Sequence, residues 1–535
     1  MLPVLTAAQM ADLDRYTIET LKLDGKLLMS NAAREVLRVL RYRFPDAKRP
    51  VIFAGTGNNG GDGVALAYYA QQEGLSPTLV LCHPEISDPP KLSEDSGYFF
   101  RIANRAYVPV LFLPNPALAP EAIKNNRSDL VVDALFGTGL DRPLSDYYLS
   151  LLERLNLAGC PRLAVDCPSG LNCSTGQIMD GALLADVTVT MGYPKLGFYH
   201  PGAARYLGDL HVVQLGFATL SEAGVQPSAH AWPDALWSPL TELRAPDTHK
   251  GHYGRVLVVA GHKRYPGAPR LAARAALRSG AGLVRLVVPE PIYTACCGDP
   301  SVMVDAHPAD DAGGFAAEPS GTLLEYLEWA DALVLGPGLS DGEAPIALAR
   351  TLLTKRSLPT VLDADGLRAL PTEGERGRWP LVLTPHVGEL ARLAGVIPDE
   401  AWEHWFERVP QLAAEHDALL LAKSNQCLLA TPGGALIFPE AGHPALASGG
   451  TGDVLSGIIG ALLARLHAQE HDPVVRMKHN DAGVRLAMAE VVATAVNIHS
   501  AAAHVAVDDL GEESLTATDL VEYIPDGMAE LLTDY

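Results

Sequence analysis

Residues 447–466 read ASGGTGDVLSGIIGALLARL, and the organisation of the chain is legible from this stretch outward. Gly449, Gly450 and Gly452 free the backbone just ahead of an unbroken apolar run. Val454, Leu455, Ile458, Ile459, Leu462, Leu463 and Leu466 cover most of a helical surface, which predicts a helix buried on every side rather than an amphipathic one. A glycine turn feeding such a helix leaves unpaired N–H groups at its start, where the helix dipole is positive. That arrangement binds anions, phosphate above all. Asp453 places a carboxylate where an anion is expected. Either it caps the helix, as aspartates commonly do, or it takes a proton from an attacking hydroxyl. For an isolated GTGD the cap is the commoner case.

The 535 residues exceed one hydrophobic core, so roughly two to four domains are expected. A net charge of −22 argues against a nucleic-acid partner, whose footprint would be basic, while helix starts and a few lysines can still hold anionic small molecules. The longest strongly apolar run, 455–466, is too short to cross a bilayer, so no membrane partner is expected. The N-terminus, MLPVLTAAQMADLD, shows no basic region before an apolar core and hence no secretory signal. Seven cysteines, with only Cys296 and Cys297 adjacent, form no metal or disulfide pattern. A reduced cytoplasm and a homo-oligomer are the expectations.

Upstream, residues 5–21 and 30–44 read as amphipathic helices. Strand-like runs follow at 51–55, 79–82, 130–136, 162–166, 187–191 and 210–215, with helical runs such as 63–72 and 146–157 between them. This alternation predicts a parallel sheet covered on both faces, with ligands bound beyond the carboxyl ends of its strands. Three such ends carry unusual turns: GTGNNGGDG at 55–63, DALFGTGLDRP at 133–143 and DCPSG at 166–170. One alone would be ordinary turn chemistry. Three in one sheet point to a site whose oxygen-bearing side chains suit a loosely held monovalent cation. Lys195 lies just past the 187–191 strand, where it is either a solvated lysine or part of that cluster.

From 221 to 248 the pattern dissolves into proline-containing, mixed-polarity sequence, so the boundaries read as a first domain over 1–224, a linker over 225–247 and a second domain over 248–535. Strands recur at 256–260, 283–288, 332–335, 360–362, 381–383 and 418–421. Each ends in a motif: GPGL at 336–339, DADGL at 363–367, TPHVGEL at 384–390 and KSNQ at 423–426. His386 reads as a capped loop histidine or a ligand contact, and Lys423 as a phosphate partner.

NNGGDG, GTGL and D-x-PSG together resemble the NAD(P)H-hydrate epimerase family over residues 1 to about 220. The resemblance implies a Rossmann-like αβα domain. It implies substrate binding by Asn58, Asn59, Gly60, Gly61, Asp62, Gly137, Thr138, Gly139, Leu140, Asp141, Arg142, Pro143 and Asp166, and a potassium ion on Asn59, Asp133 and Ser169. Asp166 is the candidate acid–base of epimerisation and Lys195 its helper. DCPSG and MSNAA stand where that family more often has DIPSG and MENAG, which leaves Ser30 in place of a carboxylate.

GAGLV, GPGL, TPHxGE and GGTGDVLSG, in this order, resemble the ribokinase-like, ADP- or ATP-dependent NAD(P)H-hydrate dehydratase family from about 249 to 532. There the resemblance makes Asp453 the catalytic base and adds Ala268, Gly338 and His386 as substrate contacts. It assigns Lys423, Ser424, Asn425, Gln426, Cys427, Ser448, Gly449, Gly450, Thr451 and Gly452, with the 443–452 segment, to a nucleotide accompanied by Mg²⁺. Pro269 interrupts a normally glycine-rich segment, KSNQC replaces KG-x-x-T, and 465–494 is a polar, histidine-bearing insertion that reads as a solvated loop. His467, His471 and His479 are too irregularly spaced for a metal site. A fusion of the two families implies a chain that epimerises R and S hydrates of NADH or NADPH (NADHX and NADPHX) and dehydrates the S epimer at the expense of ADP or ATP. The alternatives are a ribokinase-like kinase for a vitamin-precursor alcohol, or an N-terminal domain that only senses ligand.

Overall fold

The computed structural model describes residues 1–85, 91–232, 236–240, 244, 246–370, 379–469 and 481–533. The chain forms two compact units, Leu2–His230 and Ala231–Tyr535.

In the first unit seven strands, β1 (Pro50–Ala54), β2 (Thr78–Cys82), β3 (Val110–Leu113), β4 (Leu130–Ala134), β5 (Arg162–Val165), β6 (Val187–Met191) and β7 (Asp209–Val213), lie in the order β3-β2-β1-β4-β5-β6-β7. Every neighbouring pair is parallel. β1, β2, β4 and β6 are buried along their whole length, which is why β1 and β2 read as largely unbroken apolar runs, while β6 buries threonines between its valines. Successive residues still point to opposite faces. Ile52, Leu79, Leu81 and Val132 join one core with the Gly25–Arg43 helix, whereas Val51, Phe53, Val80 and Val131 join another with the Asp146–Asn156 helix. The strand order reverses between β1 and β4, and the crevice beyond the carboxyl ends of the strands opens at such a reversal. Ser30 bonds Tyr69 across two helices at 2.7 Å, so the residue that departs from MENAG still ties them together.

The second unit carries β8 (Arg255–Val259), β9 (Leu283–Pro289), β10 (Met303–His307), β11 (Ala332–Leu335), β12 (Thr360–Leu362), β13 (Leu381–Leu383), β14 (Leu419–Ala422), β15 (Leu428–Ala430) and β16 (Leu436–Pro439). These run β16-β15-β14-β13-β12-β11-β8-β9-β10, parallel except where β14, β15 and β16 pair antiparallel. Helix Thr451–Gln469 is buried without a break from Val454 to Ala464, as its sequence demands. Its glycines admit close neighbours: a Cβ on Gly457 would meet the Ala272 carbonyl oxygen at 2.2 Å, and one on Gly460 would meet Val334 at 2.4 Å.

Two expectations are corrected here. The 465–494 insertion is no solvated loop over its described parts. Residues 465–469 complete the Thr451–Gln469 helix, and from Asp481 the chain enters the helix Asp481–Leu510, where Val484, Met488, Val491, Val492 and Thr494 are buried. Alanine and valine at helical spacing drive this segment into the core despite the polar residues before it. His467 bonds Asp331 at 3.3 Å, while His471 and His479 lie outside the described residues. The second correction concerns the longest apolar run. Gly483–Leu510 is long and apolar enough to cross a membrane by length and composition, and 83% of its most apolar window is buried within the fold.

Candidate active sites

β1 ends at Ala54, and four residues later the helix Asn58–Gln72 starts, five residues ahead of the expected 63. NNGGDG is therefore the first turn and a half of a helix. A Cβ on Gly60 would lie 1.9 Å from the Gly55 carbonyl oxygen, so this turn closes only with glycine there. The first hydrogen bond into the helix runs from Gly61 N–H to the Gly57 carbonyl. The N–H groups of Asn58, Asn59 and Gly60 have no partner among the described residues.

At the end of β4 the buried Asp133 carboxylate accepts from Ser169 Oγ at 2.7 Å and from the Ser169 and Leu135 N–H groups at 2.8 and 3.1 Å. Burial pushes Asp133 up to about 6, against the pull of these bonds. Ser169 Oγ also accepts from Phe136 N–H at 2.9 Å. One residue on, a Cβ at Gly137 would lie 3.3 Å from Asn59 Cγ. Asp133, Ser169 and Asn59 thus line up along 135–137. Both polar atoms of the Asn59 amide are buried without a partner.

Asp166 ends β5 in a left-handed conformation, φ 65°, a strained state for a non-glycine residue that aims its side chain into the crevice turn. Its Oδ1 accepts from Lys195 Nζ at 2.9 Å and Thr190 Oγ1 at 3.2 Å, and its Oδ2 accepts from Thr138 N–H at 3.0 Å. Lys195, wholly buried, also donates to Thr190 Oγ1 at 2.6 Å and to the Met191 carbonyl at 2.9 Å. Burial alone would raise Asp166. The Lys195 charge and hydrogen bond, together with the bond from Thr138 N–H, outweigh it and hold the carboxyl below its ordinary range. Asp166 and Lys195 line a cleft of about 520 Å³ together with Asp14, Asp62 and Gly137 to Leu140, whereas Asp141, Arg142 and Pro143 are exposed and do not line it. Asp14 and Thr190 escaped the sequence reading. Asp14 sits on an amphipathic helix with no motif around it, and Thr190 reads as a plain strand residue.

In the second unit the centre is Asp363, at the end of β12. Its Oδ1 accepts from Lys423 Nζ at 2.7 Å and Thr384 Oγ1 at 2.8 Å, and its Oδ2 from Ser456 Oγ at 2.7 Å. Lys423 therefore has a buried carboxylate partner beside its expected place at the site. A Cβ on Gly452 would lie 3.3 Å from Lys423 Nζ, so the ammonium sits directly under the glycine turn. Burial would raise Asp363, but the charge of Lys423 and the hydrogen bonds from Lys423, Ser456 and Thr384 together hold it below its ordinary range. Lys423 is in turn held above its own, with Glu389 and Asp453 adding to the Asp363 charge against the burial cost. Asp453, third residue of its helix, makes no hydrogen bond among the described residues, so it does not act as a cap. Burial first, then the charges of Asp363 and Glu389 against that of Lys423, push it up to about 7. The N–H groups of Gly452 and Asp453 are also unpartnered, whereas Val454 N–H reaches the Gly450 carbonyl at 3.2 Å.

His386 does cap: its Nδ1 accepts from Gly388 N–H at 3.0 Å, and its ring lies 3.4 Å from Glu389, with a backbone bridge to Lys423. Ala268 packs at Gly338 (φ 59°), where an added Cβ would lie 3.0 Å from the Ala268 Cβ. Pro269 falls in the first turn of the Gly267–Arg278 helix, where no N–H is required, so it leaves that contact intact. Ser424, Asn425, Gln426 and Cys427 form a tight turn. Gln426 N–H donates to Ser424 Oγ at 3.2 Å, Asn425 accepts from Gly442 N–H through its carbonyl at 2.9 Å, and Cys427 is buried. Thr451 Oγ1 donates to the Leu446 and Ser448 carbonyls at 2.8 and 3.0 Å, shaping the turn from which Gly449 and Gly450 lead into the helix. His499, pushed down to about 4 by burial, bonds the Thr451 carbonyl at 2.9 Å. Of the unassigned residues, Asp363 was visible as a strand-end motif. Thr384, Ser456 and His499 gave no local signal.

Two αβα units, each with a carboxylate pair and a buried lysine at the carboxyl ends of parallel strands beside an unsatisfied helix start, define a two-domain small-molecule enzyme. The model of the YjeF-related protein N-terminus matches residues 25–197, and that of NAD(P)H-hydrate dehydratase matches 256–526. A bifunctional NAD(P)H-hydrate repair enzyme of Thermofilum pendens is 32% identical over 98% of this chain and 95% of its own length. That of Coxiella burnetii is 33% identical over 96% and 97%, and that of Escherichia coli 32% over 95% and 90%. An ADP/ATP-dependent NAD(P)H-hydrate dehydratase of Bacillus subtilis, co-crystallised with ATP and Mg²⁺, is 27% identical, covering 55% of this chain and 98% of its own, with a TM-score of 0.45. The chain belongs to the family of bifunctional NAD(P)H-hydrate repair enzymes. The small-molecule kinase alternative gives way to this assignment.

Proposed function

We propose that this chain restores hydrated NADH and NADPH in two steps, its first unit interconverting the R and S epimers and its second dehydrating the S epimer. Hydroxide on carbon 6 of the reduced nicotinamide ring is a poor leaving group. Phosphoryl transfer from ADP or ATP to that hydroxyl converts it into a good one, after which the ring nitrogen lone pair forms a double bond to carbon 6 and phosphate departs. The observation that carries this reading is Asp453, unpartnered, pushed up to about 7 and seated beside unsatisfied helix N–H groups. A carboxylate of that basicity accepts the hydroxyl proton near neutral pH, and the N–H groups of Gly452 and Asp453 hold the transferring phosphoryl oxygens. Lys423, fixed by Asp363, supplies positive charge next to the turn. Mg²⁺ bound to the nucleotide would screen its phosphate charge.

In the first unit a potassium ion would give Asn59 Oδ1 the partner it lacks and offset the burial of Asp133, with Ser169 as third ligand. Its contribution would be to fix the 135–137 segment against the helix start. Asp166, held ionised by Lys195, stabilises positive charge on the ring as the hydroxyl leaves. Seven free thiols fit a reduced cytoplasm, and a homo-oligomer without nucleic-acid partner completes the reading. The test is incubation of the full chain with purified S and R hydrates, with and without ADP or ATP. Reduced nicotinamide should appear with inorganic phosphate, from the S epimer alone at first and from the R epimer after exchange. A stable phosphorylated product would overturn the dehydratase reading.

A further inference from the structure

We infer that Asp14 is the general acid of the first unit's cleft, giving a proton to the departing hydroxyl of one epimer and regaining one from solvent once water has re-formed the other. The inference rests on the epimerase reading above. Exchange at carbon 6 is speeded by two functions, a proton donor for the leaving oxygen and a fixed anion for the positive ring. Asp166 can serve only as the second. Its oxygens already accept from Lys195, Thr190 and Thr138, and protonating it would discard a buried ion pair. Asp14, on the capped helix Ala7–Arg15, lines the same 520 Å³ cleft and makes no hydrogen bond among the described residues. Burial, with the Asp166 charge behind it, raises Asp14 above its ordinary range, toward the pH where a general acid works best.

The groups that face Asp14 across the cleft are Asp62, Asp166 and Lys195, with Asp95 paired to Lys26 at 3.1 Å near the rim. Asp62 also lacks a hydrogen-bond partner, and removal from bulk water together with the Asp166 and Asp14 charges pushes it well above the ordinary range. With the oxygen of the Asn59 amide assigned to the ion, its buried and unpaired Nδ2 at the cleft remains as a donor for a polar ligand. In the step itself, the Asp14 proton passes to the oxygen on carbon 6 and the C–O bond breaks with its electron pair on the departing water. The ring nitrogen lone pair becomes a nitrogen–carbon double bond. Water then adds to the opposite face, the double-bond pair returns to nitrogen, and the surplus proton leaves to solvent, from which Asp14 is reprotonated.

The experiment follows epimer exchange of purified R hydrate by NMR in the full-length chain and in Asp14→Asn and Asp14→Glu. Asp14→Asn should lower kcat by about 10²-fold with KM within about twofold, and should abolish the fall in rate at high pH that an acid gives the parent. Asp14→Glu should restore part of the rate, and nucleotide-dependent dehydration of the S epimer should be unchanged in both. Exchange by Asp14→Asn within about threefold of the parent, or with the parent's pH profile, overturns the role of Asp14 while leaving the epimerase reading in place. A parent chain that exchanges epimers no faster than free solution overturns both.

Discussion

Asparagine at 453 keeps the shape of aspartate and removes only its charge and basicity, so Asp453→Asn separates catalysis from architecture. The structure sets the size and sign of two effects. Asp453 moves from 3.8 to about 7 in the folded chain, which makes its ionised form costlier than in the unfolded chain by up to ~4 kcal/mol. A carboxyl raised in this way contributes full stability below 3.8 and loses it as pH rises through about 7. The variant, carrying no charge, should therefore equal the parent in stability near pH 4 and exceed it increasingly up to pH 7 and above, by at most a few kcal/mol. Turnover should move the other way, falling by about 10²-fold or more. In the parent, dehydration should drop about tenfold per pH unit below 7, as the base becomes protonated. Nucleotide affinity should hold or rise, because a negative charge beside the phosphates is gone. The assays are thermal or urea unfolding across pH, and the nucleotide-dependent return of reduced-nicotinamide absorbance from S hydrate. Near-normal turnover with no gain in stability would refute both the base assignment and the electrostatic account of the site.

Asp363→Asn should free Lys423 to pair with Asp453 and remove the nearest charge that raises it. Dehydration should weaken and its acid limb should shift to lower pH in a pH–rate profile; an unmoved limb removes the coupling. Asp133→Ala, or exchange of potassium for a larger organic cation, should weaken hydrate binding in the first unit and leave S-epimer dehydration intact, as read by separate epimer-exchange and dehydration assays. Residues 231–535 expressed alone should dehydrate the S epimer without exchanging R for S, because the parallel strands β8–β14 and their covering helices all lie within that unit. A soluble, folded fragment without dehydratase activity counts against this division of labour.

Strands were legible where burial on both faces leaves an unbroken apolar run, as in VIFA at β1 or ALVL at β11. Those that were missed are edges or parts of a hairpin, although the edge strand β7 was legible from its run at 210–215. β3 and β10 border their sheets and carry exposed positions, and β15 and β16 are three and four residues long around a Thr-Pro-Gly-Gly turn. The helix at Asn58 began early because glycines, poor helix formers, were read as loop. There they are required by contact with the Gly55 and Ala134 backbones and side chains, which no local pattern reveals. The motif residues at strand ends were legible for the same reason the sites exist: parallel strands deliver their carboxyl ends to one edge. Their partners were not. Thr190, Ser456 and His499 reach the sites through tertiary contact, and the pairing of Lys423 with Asp363 spans 60 positions of sequence.

The two sites share an electrostatic construction although their sheets differ in strand order. In each, one wholly or largely buried lysine, Lys195 or Lys423, faces more than one carboxylate. An ammonium can form a close pair with only one of them. Asp166 and Asp363 take that place, gather hydroxyl and N–H donors around the remaining oxygen positions, and stay ionised. The carboxyls left over, Asp14 and Asp62 in the first unit and Asp453 in the second, share the same low-dielectric surroundings without a partner of their own. They feel both the burial and the charge of the paired aspartate, and each is raised. Environments that drive neighbouring carboxyls apart in this way sort them into fixed anion and proton carrier. By that argument the aspartate with the richest hydrogen bonding is the structural charge in each site. The proton moves on an aspartate with none, Asp14 in the first unit and Asp453 in the second.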